Sequence, residues 1–292
     1  MRLSKYQALG NDYLVCAESP EIDQRLTPNV IQRICDRHFG IGSDGILVGS
    51  VSPKEGAFRL RILNPDGSEA EKSGNGLRIY AKYLWDLGLV AAAEFRVSTL
   101  GGMVRCQVGD NGHDIDVEMG QVRFLSTEIP MTGPPREVLR ETIEVESASG
   151  NTDTLEVSAA TIGNPHCVIL RETLCAEEVR RLGPLLETAP CFPQRTNVQF
   201  MRVADRANIE IEIWERGAGY TLASGSSSSA AAAVARRLGL VDEHVSVHMP
   251  GGVLRIEIDD SFHVRMQGPA SKVGDIELAA EFLADAAASF ET

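Results

Sequence analysis

The chain has 292 residues, of which 43% are hydrophobic and 24% are charged, a composition that is typical of a globular protein. Its net charge of −13 argues against a nucleic-acid partner, which would favour a basic face. No apolar run approaches the roughly 20 residues that a membrane-spanning helix needs, and the N-terminus shows no secretory segment. We therefore expect a cytoplasmic protein of two domains.

The cysteines and histidines predict neither disulfides nor a metal site. The six cysteines form no CxxC pair, and in a reducing compartment their even number does not indicate disulfides. Cys167 follows His166, but HCVIL is typical of a buried strand, in which a cysteine behaves as a small hydrophobic residue. His244 and His248 are four residues apart, but they flank a strand-like VSV rather than sharing a helix face.

The first half of the chain contains a predicted strand, a helix and a hairpin. In FRLRIL (residues 58–63) apolar and charged residues alternate, which predicts a half-buried strand and places Asn64 on its inward face. A helix is predicted after Ser73 and ends near Gly88. Its apolar residues recur at helical spacing: Leu77, Tyr80, Leu84 and Leu87. The segment FRVSTLGGMVRCQV follows as two β segments around a Gly-Gly turn.

The same order of elements returns in the second half. IEIEIWERGAGYTLASGSS repeats FRLRILNPDGSEAEKSGNG, with Glu215 in the place of Asn64. Ser224 takes the place of Ser73. Ser73 follows Asn64 by nine residues, and Ser224 follows Glu215 by nine residues. The next segment, SSSSAAAAVARRLGL, is rich in alanine on every side, which suits a helix buried in a small barrel or between sheets. The segment VSVHMPGGVLRIEI then repeats the hairpin.

The duplication extends upstream of these elements. Gly163-Asn164 in GNPHCV matches Gly10-Asn11 in GNDYLV at nearly the same offset as the serines. Four landmarks at an almost constant offset predict two similar halves. Residues 123–152 carry Pro, Gly and polar residues and would include the crossover between the halves.

Each half presents a strand, a Gly-containing turn and a helix that begins at Ser73 or Ser224. A helix N-terminus has unpaired N–H groups and a partial positive charge, so it can hold a carboxylate or a phosphate. The alternative is that the serines only cap their helices, since Ser is a favoured N-cap, and the motif alone favours neither. No GxxxxGK[ST], GxGxxG or GxSxG motif supports a phosphate loop or a serine hydrolase.

The chain resembles the cofactor-independent diaminopimelate epimerase family in short motifs that run over almost its whole length. They are LGNDY (9–13), RHFGIGSDG (37–45), NPDGSE (64–69), SGNGLR (73–78), GNPHC (163–167), RTNVQ (195–199), ERGAG (215–219), ASGS (223–226) and QGPA (267–270). The resemblance implies an α/β (α+β) fold of two pseudo-symmetric domains, each a curved, mostly antiparallel sheet around a central helix. The implied domains are 1–122 plus 271–292, and 123–270, with the active cleft between them. A helical tail from about Lys272 would pack on the first domain.

The family inverts an amino-acid α-carbon without pyridoxal phosphate, so the resemblance implies neither a cofactor nor a metal. Carried over position by position, it implies these substrate-binding residues: Asn11, Asn64, Gly74, Asn75, Asn164, Asn197, Glu215, Arg216, Gly225 and Ser226. Arg216 would hold a distal carboxylate, and the backbone at the two helix starts would hold the α-carboxylate. His166 and Glu215 match family positions that tune the reactive pair.

The reactive positions themselves depart from the family. The family's epimerases carry a cysteine at both, whereas this chain carries Ser73 and Ser224, and Lys72 stands where an acidic or polar neighbour is expected. A serine hydroxyl is a much weaker acid than a thiol and needs an adjacent base. Two explanations stay open: a natural serine branch, or substitutions that trap an inactive enzyme. The residues at Ile79 and at 226–229 also differ from the family, which favours the natural branch.

The leading interpretation is an isomerase, an amino-acid epimerase or racemase that transfers protons through Ser73, Ser224, His166 and Glu215. Diaminopimelate (LL to meso), a precursor of lysine and peptidoglycan, is the best single substrate. An isomerase of the same superfamily that acts on another amino acid is one alternative, and a catalytically silent binding protein is the other. The expected partner is a small molecule, with neither nucleic acid nor membrane, and a homodimer is a further expectation.

Overall fold

A computed structural model of the chain describes residues 1–146, 150 and 152–288. The helices are α1 (Pro20–Arg25), α2 (Pro28–Cys35), α3 (Gly74–Asp86), α4 (Ala176–Glu187), α5 (Gly225–Arg237) and α6 (Ala280–Ala288). The strands are β1 (Arg2–Ala8), β2 (Asn11–Ala17), β3 (Ile46–Gly49), β4 (Phe58–Leu63), β5 (Glu69–Ala70), β6 (Phe95–Thr99), β7 (Gly102–Val108), β8 (Asp114–Gln121), β9 (Glu141–Glu146), β10 (Thr152–Thr161), β11 (Pro165–Leu170), β12 (Asn197–Asp205), β13 (Asn208–Glu215), β14 (Gly219–Thr221), β15 (His244–Met249), β16 (Gly252–Ile258), β17 (His263–Pro269) and β18 (Ser271–Glu277). The chain divides into two compact units: Met1–Glu118 with Gly268–Thr292, and Met119–Gln267.

The first unit is built on strands in the order β18-β1-β2-β3-β4-β6-β7-β8. The β2–β3 and β4–β6 pairs are parallel, the other pairs are antiparallel, and β5 adds to β4 as a short antiparallel partner. The predicted strand at 58–63 is confirmed as β4, in which Phe58, Leu60 and Ile62 are buried while Arg59 is exposed. The period of two in the sequence therefore reports the buried face of this strand.

The second unit repeats this arrangement strand for strand. Its order is β9-β10-β11-β12-β13-β15-β16-β17, with β11–β12 and β13–β15 parallel and the remaining pairs antiparallel. The short β14 pairs with β13 as β5 pairs with β4. The predicted duplication and the mostly antiparallel α/β architecture are therefore confirmed.

Each unit holds one helix that its own strands surround. Helix α3 packs on β1, β2, β3, β7 and β18, and helix α5 packs on β10, β11, β12, β13, β15 and β16. Every residue from Gly74 to Ala81 is buried, as is every residue from Ser227 to Ala235. Small side chains let strands approach α5 from all sides, which explains its run of alanines. The sequence-based prediction of a buried helix is confirmed.

Both central helices begin and end in the same way. Ser73 and Ser224 are the N-caps, and Leu87 and Leu238 are the C-caps. Gly88 and Gly239 follow with φ of 69° and 72°, the left-handed conformation that glycine adopts without a Cβ clash. The carbonyls of the last turn then accept from Leu89 N and Leu240 N at 3.0 and 2.9 Å.

The end of the chain differs from the expected helical tail. Residues from Ser271 to Glu277 form β18, which pairs antiparallel with β1, and only then does α6 follow and pack on α2. Lys272 is thus a strand residue opposite Tyr6. The strand forms because the backbone of β1 offers it a long-range partner, which no local pattern in the tail reveals. The predicted crossover at 123–152 includes β9, while 147–149 and 151 lie outside the described residues.

Packing of α3 on β3 gives a test of this fold. A Cβ added at Gly49 would stand 2.1 Å from Cε2 of the buried Tyr80, whose hydroxyl donates to Ser50 O at 2.5 Å. Because neither the ring nor the strand can retreat, Gly49→Ala should lower the free energy of unfolding by about 1–3 kcal/mol, as overpacking does. Urea denaturation would measure it. Gly274→Ala in β18 is the matched control, since its Cβ meets no heavy atom within 4 Å, and equal losses in both variants would contradict the packing.

Candidate functional site

The two predicted reactive serines cap their helices. Ser73 Oγ accepts from Gly76 N at 3.1 Å, and Ser224 Oγ accepts from Ser227 N at 3.4 Å. Ser73 is half-buried, whereas Ser224 is 3% exposed. The capping interpretation is confirmed, and it is compatible with a site. A cap uses a lone pair of the hydroxyl oxygen and leaves its proton available, and a helix has further N–H groups in its first turn.

In the first unit, a line of side chains leads from the Gly10-Asn11 motif to helix α3. Asn75 Nδ2 donates to Asn11 Oδ1 at 3.0 Å, and Arg78 Nη2 donates to Asn75 Oδ1 at 2.8 Å. Asn11 Nδ2 in turn donates to Asp44 Oδ2 at 2.7 Å. Arg78 is fully buried, and burial lowers its pKa to about 9. The chain of hydrogen bonds sets which end of each amide faces which neighbour.

A charged cluster next to Asn11 is a feature that the sequence motifs alone do not predict. Asp12 forms ion pairs with Lys5 Nζ at 2.8 Å and Arg37 Nη2 at 2.7 Å, and Arg37 also pairs with Asp44 at 2.6 Å. Burial raises the pKa of Asp12, but the hydrogen bonds and charges of Arg37 and Lys5 outweigh it and hold the pKa below its usual range. The available signals were the LGNDY motif, which contains Asp12, and the RHFGIGSDG motif, which contains Arg37 and Asp44.

Asn64 lies at the end of β4, at the turn that leads to β5. Its Nδ2 donates to Ser68 Oγ at 2.9 Å, and its backbone N donates to Ser68 O at 2.8 Å. Gly67 within this turn has φ of 85°. Asn64 thus closes a turn, the role that asparagine often plays. Its substrate role stays a prediction.

In the second unit, His166 is fully buried in β11 beside polar side chains. Its Nε2 lies 3.0 Å from Asn164 Oδ1, and on the neighbouring strand Gln199 Nε2 donates to Ser227 Oγ at 3.0 Å. Burial lowers the pKa of His166 to about 3, the Gln199 side chain opposes this shift, and the positive charge of Arg216 adds to it. The imidazole is therefore uncharged at neutral pH.

Asn197 holds the backbone next to the predicted carboxylate-binding arginine. Its Nδ2 donates to Pro165 O at 2.9 Å, and its Oδ1 accepts from Arg216 N at 3.0 Å. The exposed Arg216 side chain donates through Nη1 to Gln194 O at 3.0 Å. The structure therefore shows Asn197 in a supporting role, and direct contact with a substrate stays a prediction.

Two serines of helix α5 donate back to backbone carbonyls at the start of the helix. Ser228 Oγ donates to Ser224 O and Ser229 Oγ donates to Gly225 O, both at 2.8 Å. Ser226 Oγ is half-buried and lies 3.5 Å from Ser224 Oγ. Hydroxyls that bond back to helix carbonyls can be buried at little cost, which explains how a polar helix start fits into a packed unit.

Three further positions that the sequence analysis discusses are Glu215, Lys72 and Cys167. Glu215 is half-buried at the end of β13, opposite Gly219 of β14. Lys72 Nζ donates to Glu118 O at 3.4 Å, and burial lowers its pKa. Cys167 is completely buried in β11 and burial raises its pKa, as expected of a structural thiol.

The predicted site residues divide between the two units. The first unit contains Asn11, Asn64, Ser73, Gly74 and Asn75. The second unit contains Asn164, His166, Asn197, Glu215, Arg216, Ser224, Gly225 and Ser226. Within residues 1–146, 150 and 152–288, no group of three or more His, Cys, Asp or Glu is arranged to hold a metal ion. No helix in that part of the chain is long and apolar enough to cross a membrane.

Comparison with known sequences places these motifs in a family. A family model described as diaminopimelate epimerase matches residues 3–125 and 158–273. Diaminopimelate epimerase 2 of Nostoc sp. is 54% identical over 284 residues, which cover 97% of this chain and 98% of the relative. Diaminopimelate epimerase of Pelotomaculum thermopropionicum is 41% identical over 277 residues, 94% of this chain and 97% of the relative.

Solved structures show the same fold at much lower identity. A probable proline racemase from Agrobacterium radiobacter has a TM-score of 0.69 at 15% identity, covering 96% of this chain and 93% of that one. A hydroxyproline epimerase from Agrobacterium vitis also has a TM-score of 0.69 at 15% identity, covering 96% and 92%. At such identity the likeness concerns the fold alone.

The buried His166 predicts a specific pH dependence of stability. The folded state holds its pKa at about 3, whereas an unfolded histidine titrates near 6.5. The stability that the neutral ring contributes is thus complete above about pH 6.5 and is lost as the pH falls toward 3. Relative to His166→Gln, the wild-type free energy of unfolding should fall by about 1.4 kcal/mol per pH unit in that window.

Urea denaturation at several pH values between about 7 and 4 would measure the difference. The exposed His244 provides the control, since His244→Gln keeps His166 and should therefore keep the slope that His166 contributes. If the stability of the wild type and of His166→Gln changed with pH in parallel, the imidazole would bind its proton equally well in the folded and the unfolded protein. This result would contradict the lowered pKa.

Proposed function

This chain belongs to the diaminopimelate epimerase family, and we propose that it is an isomerase that interconverts LL- and meso-diaminopimelate on the route to lysine and peptidoglycan precursors. The observation that carries the proposal is the duplicated helix start, with Ser73 capping α3 and Ser224 capping α5. Inversion at a carbon needs one group that removes a proton and another that returns one to the opposite face. A duplicated element supplies two such groups.

The helix starts also suit the intermediate of this reaction. Loss of the α-proton leaves a planar carbanion whose charge spreads into the α-carboxylate. Donors that are already oriented where this charge develops stabilise it without reorganisation. We propose that the backbone at Gly74-Asn75 and at Gly225-Ser226 supplies these donors, since both pairs lie in the first turn of a buried helix.

The serines need help to act as acid and base. The hydrogen bonds that Gly76 N and Ser227 N donate favour the oxyanion over the hydroxyl, as does the positive end of each helix. In the proposed mechanism Ser73 and Ser224 carry the transferred protons, and His166 and Glu215 tune them. The asparagines at 11, 64, 164 and 197 would orient the polar groups of the substrate, and Arg216 the distal carboxylate.

A second candidate is a catalytically silent binding protein of the same fold. It is favoured by one observation, which is that both serines already have a structural role as N-caps. An isomerase of the same superfamily that acts on another amino acid would give the same fold and the same helix starts. A cytoplasmic location and a homodimer are further proposals, and sedimentation equilibrium would test the homodimer.

Exchange of the α-proton separates these candidates. In heavy water, the wild-type protein should exchange the α-proton of LL- and meso-diaminopimelate and interconvert the isomers, as followed by NMR. Ser73→Ala and Ser224→Ala should each reduce exchange by at least about 100-fold, the lower range for a positioned acid or base. Their stability should fall by only about 1 kcal/mol, the worth of an N-cap.

Ser19→Ala is the matched control, because Ser19 caps α1 by accepting from Ile22 N at 3.2 Å and belongs to no predicted site. It should lose similar stability and keep full activity. Exchange that survives both serine substitutions would assign these residues to capping alone. If the protein exchanged the α-proton of another amino acid but not that of diaminopimelate, the result would favour an isomerase of the same superfamily with a different substrate.

A change from oxygen to sulfur tests the family chemistry directly. The variant Ser73→Cys with Ser224→Cys should raise epimerase activity on diaminopimelate, since a free thiol has a pKa near 8.5, several units below a hydroxyl. Each unit corresponds to about 1.36 kcal/mol in the availability of the base. Single-turnover exchange would measure the gain. A folded double variant that binds diaminopimelate without exchanging its α-proton would contradict the assignment.

A further inference from the structure

Glu187 is a buried carboxylate in an unfavourable place. It is the last residue of α4, and it is 4% exposed. Both facts oppose a negative charge, because the C-terminus of a helix carries a partial negative charge and burial removes the solvation of the carboxylate. A carboxylate remains in such a position only when donors compensate for it.

The compensating donors come from residues on either side of Arg216 in the chain, Trp214 and Gly217, and from Arg195. Trp214 Nε1 donates to Glu187 Oε2 at 2.7 Å, and Gly217 N donates to Oε1 at 2.9 Å. Arg195 forms an ion pair with Oε1. Arg195 has φ of 62°, a conformation that a residue with a Cβ adopts only where its surroundings hold it. Hydrogen bonds to an ionised acceptor are about twice as strong as neutral ones, so this carboxylate fixes three segments together.

These contacts restrict the orientation of the Arg216 side chain. Gly217 N is bound to Glu187, and the preceding N–H, of Arg216, is bound to Asn197 Oδ1 at 3.0 Å. The guanidinium then donates to Gln194 O at 3.0 Å, and Gln194 adjoins Arg195, which Glu187 also holds. Glu187 therefore acts on both the backbone and the side-chain end of Arg216.

We propose that Glu187 is a positioning residue that orients Arg216 for the second carboxylate of the substrate. The inference rests on the proposed function, in which Arg216 binds the distal carboxylate. Glu187 itself lies at the end of α4 and acts through the turn rather than by contact with the ligand. Bidentate recognition of a carboxylate by arginine depends on the direction of the guanidinium plane, so a turn that loosens should weaken binding of that group selectively.

The variant Glu187→Gln keeps the size of the side chain and removes one acceptor. A glutamine has a single carbonyl oxygen, whereas Trp214 Nε1 and Gly217 N use different oxygens of Glu187, so one donor must face an NH2 group. Calorimetry should show diaminopimelate bound about tenfold more weakly than by the wild type. Lysine, which lacks only the distal carboxylate, should be bound equally by both proteins.

The double variant Glu187→Gln with Arg216→Ala should bind diaminopimelate no more weakly than Arg216→Ala alone, since Glu187 acts through Arg216. Glu178→Gln is the control, because Glu178 lies in the same helix and pairs with Arg171 at 3.1 Å, away from the turn. It should leave both affinities unchanged. Full additivity of the two losses, or equal weakening of lysine and diaminopimelate, would overturn the proposal.

A measurement without substrate separates this proposal from the proposed function. In the free protein, Glu187→Gln should shift the indole N–H resonance of Trp214 and speed hydrogen exchange at Gly217 N, while Glu178→Gln should change neither. Unchanged exchange and resonance would overturn the positioning role whatever the substrate is. A wild-type protein that shows these contacts but binds no diaminopimelate would instead contradict the function and, with it, the assignment of Arg216.

Discussion

The burial of one helix inside each unit is the constraint on which the rest of the structure depends. A helix that strands surround cannot slide or rotate, so the direction of its first-turn N–H groups is fixed by the packing of the whole unit. In α5 the small residues Ala230–Ala233 let the strands approach the helix. In the other unit, α3 instead carries the large buried side chains of Arg78 and Tyr80. A preorganised donor group at the start of each helix is therefore a property of the core.

Duplication preserved the backbone of the two helix starts and changed their side-chain support. In the first unit, α3 is tied by side-chain amides and a buried guanidinium, from Asn11 through Asn75 to Arg78. In the second, hydroxyls of α5 bond back to helix carbonyls, and Gln199 reaches Ser227 from the neighbouring strand. The two helix starts therefore share a backbone frame and differ in the side chains that support it.

The fold was predictable where the signal was local, and the helix starts at Ser73 and Ser224 were predictable because the signal repeats. Alternation in β4, the Ser cap and the Gly that follows each helix are all read within a few residues. The strand β18 and the carboxylate of Glu187 depend on partners far away in the chain, β1 and Trp214. No short window contains such a pair, so neither the strand in the tail nor the anchor of the Arg216 turn could be read from the sequence.

The N-cap position of the two serines bears directly on how acidic their hydroxyls can be. An oxygen that accepts from a backbone N–H, as at Ser73 and Ser224, is held in place by the helix that it caps. The same hydrogen bond stabilises the deprotonated form, so capping and acidity increase together. His166 is fully buried and uncharged, so it contributes no positive charge that would add to this effect. In the proposed mechanism the fixed first turn of each helix therefore supplies the electrostatic contribution to the acidity of its serine, and His166 can tune the pair only as a neutral group.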